Sequence, residues 1–121
     1  MKVLLTGAGG QLGRCVQDLF ARTEHELIAL DRAALDISNA QAVSTTVGEH
    51  KPKVIINTAA YTAVDKAEAE PELAAQINSI GPRNLALAAE SVGAVLIHIS
   101  TDYVFDGRKS DPYLETDTTN P

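Results

Sequence analysis

Residues 2–20, KVLLTGAGGQLGRCVQDLF, constrain the fold more tightly than any other stretch. KVLLT (2–6) reads as a buried strand. QLGRCVQDLFAR (11–22) sets Leu12, Val16, Leu19 and Phe20 at helical spacing. Between them lies only the short turn 7–10, and Gly7, Gly10 and Gly13 run through it into the start of the helix. A strand that passes through so short a turn into a helix begins a βα unit, whose next strand returns parallel to the first by a right-handed crossover.

The rest of the chain repeats that alternation. ELIAL (26–30), KVIIN (53–57) and AVLIHIS (94–100) read as further strands, near-continuously apolar as in a parallel sheet covered on both faces. SNAQAVSTTVGEH (38–50) is a helix with Ser38 as its expected N-cap. A longer helical pattern spans 71–93, with Gly93 as C-cap and a kink or break expected near Gly81, since Pro82 falls inside it. These elements predict an α/β fold, a Rossmann-like doubly wound parallel sheet. Its strand order is expected to begin 3-2-1-4, with the fourth strand beside the first. Residues 1–105 form this dinucleotide-binding unit. Residues 106–121 lack apolar periodicity and read as a loop leading on to a further segment, so the chain is expected to be the N-terminal part of a longer protein.

Composition removes several function classes. A net charge of -6 argues against nucleic-acid binding, and no apolar run is long enough to span a bilayer. MKVLLTGAGG is no signal peptide, which makes the cytoplasm the default. The single cysteine, Cys15, is expected to be a buried structural thiol, and the histidines at 25, 50 and 98 lack metal-ligand spacing.

Four stretches carry the chemistry. In TGAGGQLG the glycines permit a tight turn, backbone approach to a pyrophosphate and close helix–sheet packing, while the helix N-terminus offers free N–H groups to the phosphates. Asp31 comes 18 residues after Gly13, at the end of the second strand, where an acid accepts hydrogen bonds from the adenosine ribose. Arg32 beside it suits a 2′-phosphate, so the pair points to NADPH or to use of both NADH and NADPH. Asp36 and Ile37 either flank the adenine or begin the second helix. After the third strand, NTAAYTAVDKAEAEPE puts the small Ala59 and Ala60 where a cofactor would pass the backbone, with Tyr61, Thr62 and Asp65 at the rim. After the fourth, STDYVFDG follows Val95, Ile97 and Ile99, which share one face that Thr101 continues. With the fourth strand beside the first, Thr101 would emerge next to the glycine loop. Tyr103 and Phe105 then suit a nucleotide-sugar ligand or pack the loop itself.

In this order, TGAGGQLG, NTAAYTAVDKAEAEPE, STDYVFDG and YLETDTTNP resemble the dTDP-4-dehydrorhamnose reductase (RmlD) family of extended short-chain dehydrogenases/reductases, over essentially all 121 residues. The resemblance implies NAD(P)H-dependent reduction of a dTDP-4-keto sugar to dTDP-L-rhamnose for cell-surface polysaccharide. It also implies Mg2+ in the longer members, with no site identifiable in this chain, and a homodimer. Carried over residue by residue, it implies that Gly10, Gln11 and Leu12 contact the pyrophosphate, with Gly7 and Gly13 shaping the loop. Asp31, Asp36 and Ile37 would surround the adenosine, and Ala60, Tyr61, Thr62 and Ile99 would line the middle and nicotinamide end. Thr101 would be the catalytic hydroxyl, contacting substrate together with Asp102 and Tyr103. The family's Tyr-x-x-x-Lys pair is absent: the last tyrosine is Tyr113, and four residues on stands Asp117. By the family pattern that tyrosine falls a few residues past Pro121, so the chain by itself is expected to be inactive. Two other readings stay open, a non-catalytic dinucleotide-binding regulatory subunit and a sugar-nucleotide epimerase or dehydratase.

Overall fold

The computed structural model describes residues 1–120, with Asp102 described by its backbone alone. The elements alternate as the apolar periods require. They are β1 (Lys2–Thr6), α1 (Gln11–Phe20), β2 (Glu26–Leu30), α2 (Ala40–His50) and β3 (Val54–Asn57). Two short helices follow, α3 (Val64–Ala67) and α4 (Pro71–Ala75), then a π turn (Gln76–Ile80), α5 (Gly81–Val92), β4 (Val95–His98) and a 3-10 turn (Asp102–Val104).

All strand pairings are parallel, and the order is β2-β1-β3-β4. The expected order is therefore corrected: β3, not β4, lies beside β1. Among the described residues, no further strand forms on that side after β2. Residues 31–39 run through turns, and α2 carries the chain across β1 to the other edge. The reversal of winding thus falls between β1 and β3. In an open α/β sheet that switch point opens a crevice at the carboxyl ends of the strands.

Residue alternation divides the sheet into two faces. Leu4 and Ile55 point toward α2 and α5 and join Val43, Val47, Leu85, Ala88 and Ala89 in the main core. Val3 and Leu5, also buried, point the other way, to the face that the right-handed β1–α1–β2 crossover covers with α1. That cover is partial. Val95 and Ile97 continue the second face on edge strand β4, with Ile99 just beyond its end, and the three are 60%, 46% and 46% exposed.

Three local expectations change. Pro82 does not break the helix: Ile80 and Gly81 keep right-handed helical dihedrals, and Pro82 sits in the first turn of α5. Proline has no N–H to bond back to the carbonyl of Asn78, and the preceding turn widens to a π turn instead. The N-cap of α2 is Asn39, whose Oδ1 accepts the N–H of Ala42 at 3.0 Å. Ser38 is already engaged, its N–H and hydroxyl both donating to Asp36 Oδ1 at 3.0 and 2.7 Å. Cys15 is exposed rather than buried. The stripe Leu12, Cys15, Leu19 faces outward, and Gly13, Val16, Gln17 and Phe20 form the inner side of α1.

The segment after β4 closes on itself. Phe105 and Tyr113 stack with centroids 4.3 Å apart. The Tyr113 hydroxyl donates to Asp106 at 2.9 Å, Lys109 pairs with Asp117 at 2.6 Å, and the N–H of Asn120 returns to the carbonyl of Val104.

Candidate functional site

A cleft of about 460 Å³ opens at the switch point, a size that suits a bound small molecule. Its floor is built by close backbone contacts that glycines alone permit. Gly7 leaves β1 with φ +75°, and a Cβ on it would stand 2.5 Å from the backbone nitrogen of Ala59. A Cβ on Gly13 would stand 2.2 Å from the carbonyl oxygen of Gly7. The glycine turn is thus clamped between α1 and the exit of β3. Thr58 adds a hydroxyl bond to the carbonyl of Thr6 at 2.8 Å.

Helix α1 points its N-terminus at this cleft without a protein cap. Its N-cap is Gly10, no side chain caps the N–H groups of the first turn, and that turn holds no acidic residue. Among the described residues, the N–H groups of Gln11 and Leu12 find no acceptor. Free donors and the positive end of the helix dipole together suit an anion. These features fit a pyrophosphate: a cradle that a Cβ would fill, and uncapped N–H groups beside it.

Asp31 and Arg32 line the cleft at the end of β2. One oxygen of Asp31 accepts the N–H of Ala34 at 2.9 Å, which orients the exposed carboxylate. Asp36 also lines the cleft, and the hydrogen bonds from Ser38, chiefly, with the charge of Arg32, hold its carboxyl below the usual aspartate range. Ile37 lines the same wall, yet its side chain is 4% exposed and belongs to the core, where it fills the space left by the missing Cβ of Gly81.

The opposite wall is Ala59, Ala60, Tyr61 and Thr62. Asn78, from the π turn, holds the backbone of Tyr61 at two points: its Oδ1 accepts the Tyr61 N–H at 2.8 Å, and its Nδ2 donates to the Tyr61 carbonyl at 3.0 Å. The Tyr61 hydroxyl donates to Glu70 at 2.6 Å, which pushes its own pKa up. Asn78 and Glu70 escaped the sequence reading. An asparagine four residues before a proline inside a helical run was the available signal for Asn78.

The structure does not bring the β4 residues into this cleft. Because β3 separates β4 from β1, Thr101 does not emerge beside the glycine loop, and the 58–62 segment takes that place. Thr101 is exposed, its hydroxyl oxygen accepting the N–H of Tyr103 at 3.2 Å. Ile99 and Tyr103 are likewise exposed beyond the cleft lining, as are Gln11 and Leu12 on the helix side. The side chain of Asp102 lies outside what is described.

Beneath the cleft runs a polar ladder that joins three strands. The buried Thr6 hydroxyl donates to Asn57 Oδ1 at 2.6 Å, the same oxygen accepts the N–H of Ala59 at 3.1 Å, and Asn57 Nδ2 meets His98 Nδ1 at 3.0 Å. Among the described residues, no group of three or more His, Cys, Asp or Glu is arranged to hold a metal ion. No helix among them is long and apolar enough to cross a membrane.

Residues 1–121 match the family described as the RmlD substrate binding domain. The chain is 51% identical over 118 residues to a dTDP-4-dehydrorhamnose reductase of Streptomyces griseus, covering 98% of this chain and 39% of that protein. The crystal structure of a dTDP-4-dehydrorhamnose reductase from Clostridium acetobutylicum superposes with a TM-score of 0.96 at 54% identity, over 100% of this chain and 43% of the other. A Bacillus anthracis dTDP-4-dehydrorhamnose reductase, solved in complex with NADP, superposes with a TM-score of 0.93 at 46% identity, over 99% of this chain and 43% of that one. The chain therefore spans about two fifths of the length of these relatives.

Proposed function

The chain belongs to the RmlD substrate binding domain family, and from that premise we propose that it forms the NAD(P)H-binding part of a reductase acting on a dTDP-4-keto sugar. The observation that carries the reading is the uncapped N-terminus of α1 behind the glycine turn at the sheet's switch point, with Asp31 across the cleft. The reduced nicotinamide supplies the hydride when bound. In this reading the N–H groups of Gln11 and Leu12 hold the pyrophosphate, the backbone of Gly10 lies against it, and Gly7 and Gly13 keep the turn close to β3. Asp31 accepts from the ribose hydroxyls, and Arg32 faces a 2′-phosphate, which favours NADPH without excluding NADH. Asp36 and Ile37 bound the adenosine, while Ala60, Tyr61, Thr62 and Ile99 serve the nicotinamide half. Thr101, with Asp102 and Tyr103, stands at the substrate side. Its hydroxyl donates to the keto oxygen as negative charge develops there. A general acid must still supply the proton, and these residues hold no Tyr-x-x-x-Lys pair to do so.

Calorimetric titration with NADPH and NADH, alongside an assay of NADPH consumption with the dTDP-4-keto sugar, tests the proposal. The expected result is cofactor binding by the 121-residue chain without turnover, and turnover by a protein in which a Tyr-x-x-x-Lys segment accompanies it. Failure to bind either nucleotide overturns the reading.

A further inference from the structure

The N–H of Gly10 donates to the carbonyl of Gly7 at 3.0 Å, so residues 7–10 form a β-turn with the Ala8–Gly9 peptide at its centre. Such a peptide has two orientations related by a flip of about 180°, type I and type II, and the second requires positive φ at the third residue of the turn. Glycine at position 9 admits both. Among the glycines, positive φ occurs at Gly7, Gly93 and Gly107 but not at Gly9, so the turn is held in the first orientation.

Gln17 is the group that holds it. Its side-chain amide nitrogen donates to the carbonyl of Ala8 at 2.8 Å and to that of Gly13 at 3.1 Å, bridging the turn to the flank of α1. The carbonyl of Ala8 and the N–H of Gly9 belong to one planar trans peptide and point in opposite directions. Seating the Ala8 oxygen on Gln17 therefore turns the Gly9 N–H to the other side of the turn, where Gly9 lines the cleft near Asp31. The flipped peptide would present an acceptor oxygen to that same side, opposing an anionic ligand. We propose that Gln17 is a positioning residue for dinucleotide binding, a latch that keeps the Ala8–Gly9 peptide in its donor-out orientation. This rests on reading the cleft as a dinucleotide site.

The test is a mutant cycle read by NADPH affinity. Gln17→Leu removes the donor, and Gln17→Glu keeps the length but replaces the donating amide with an acceptor. Each is expected to weaken NADPH binding about tenfold, the scale of one net hydrogen bond. Gly9→Ala penalises the flipped turn, since alanine resists positive φ, and its Cβ would meet nothing closer than Asp31 Cβ at 3.7 Å. On the Gly9→Ala background, Gln17→Leu is expected to change affinity by less than about twofold, because the flipped state is already closed. A purely structural role for Gln17 gives the same loss on both backgrounds and overturns the latch, as does unchanged affinity in Gln17→Leu. If the leucine variant does not fold, the glutamate variant carries the cycle. Absence of NADPH binding by the wild-type chain would instead overturn the dinucleotide reading itself.

Discussion

Replacing Asn57 by leucine tests whether the polar ladder under the cleft holds the three strand ends together. Leucine keeps the branching at Cγ and leaves no cavity, so the partners are lost without an unfilled space. Three groups lose their partner. The Thr6 hydroxyl is fully buried and is left with no acceptor, at a cost of about 2 kcal/mol. The N–H of Ala59 is half-buried and costs about 1 kcal/mol, while His98 is exposed and turns to water at little cost. The sum is about 3 kcal/mol. With about 0.25 kcal/mol/K of unfolding entropy for 121 residues, Tm should fall by about 12 °C. Thermal unfolding by circular dichroism gives the number, and a cycle with Thr6→Val gives its cause. Removing both partners leaves no orphaned hydroxyl, so the double variant should fall short of the summed single losses by about 2 kcal/mol. A loss under about 1 kcal/mol in Asn57→Leu, or simple additivity in the cycle, would refute the reasoning.

Gly13→Ala should destabilise the chain by about 3 kcal/mol and abolish measurable NADPH binding, because its Cβ collides with backbone that cannot give way, whereas Gly10→Ala, with its nearest atom at 3.3 Å, should do far less; paired melts and titrations check both. The 104–120 loop should loosen in acid. Asp106 is held below the usual aspartate range chiefly by the N–H of Arg108, and Asp117 chiefly by Lys109, so their contribution is complete above the ordinary aspartate value and is lost as pH falls through the depressed ones. Near-ultraviolet circular dichroism of the Phe105–Tyr113 stack should show that loss, and Lys109→Met should move it to higher pH. The exposed row Val95, Ile97 and Ile99, on edge strand β4 and just beyond its end, should make the 121-residue chain self-associate, and Ile97→Lys should shift its sedimentation toward monomer.

What the sequence disclosed was what local period and local chemistry encode. Each strand lay within about two residues of its expected place, as did α1, because an apolar run and a 3.6-residue period are properties of neighbours in the chain. The glycine turn was legible for the same reason in part: Gly10 and Gly13 answer to contacts with residues 7 and 8, whereas Gly7 answers to Thr58 and Ala59, far along the chain. The misses are of two kinds. Ser38 and Pro82 were assigned by one-residue rules, and a neighbour overrode each. Asp36 captured Ser38, and a widened turn absorbed Pro82. Cys15 sits on a helix with two apolar stripes, and only the sheet decides which is inward.

The larger misses concern partners far apart in sequence. Thr6 and Asn57 are 51 residues apart, Asn57 and His98 are 41 apart, and Tyr61 and Asn78 are 17 apart. No local pattern names such pairs, since each depends on which strand lies beside which. Strand order is itself a long-range property, and one wrong neighbour moved Thr101 from the glycine loop to the far side of β3. That displacement has a chemical consequence. A hydroxyl beside the glycine loop would compete for the pyrophosphate, whereas one beyond the 58–62 segment is separated from it by the wall that Asn78 and Glu70 brace. In the proposed reading, cofactor binding thereby falls to the ends of β1, β2 and β3 and substrate contact to the end of β4, with the 58–62 segment as the wall between them.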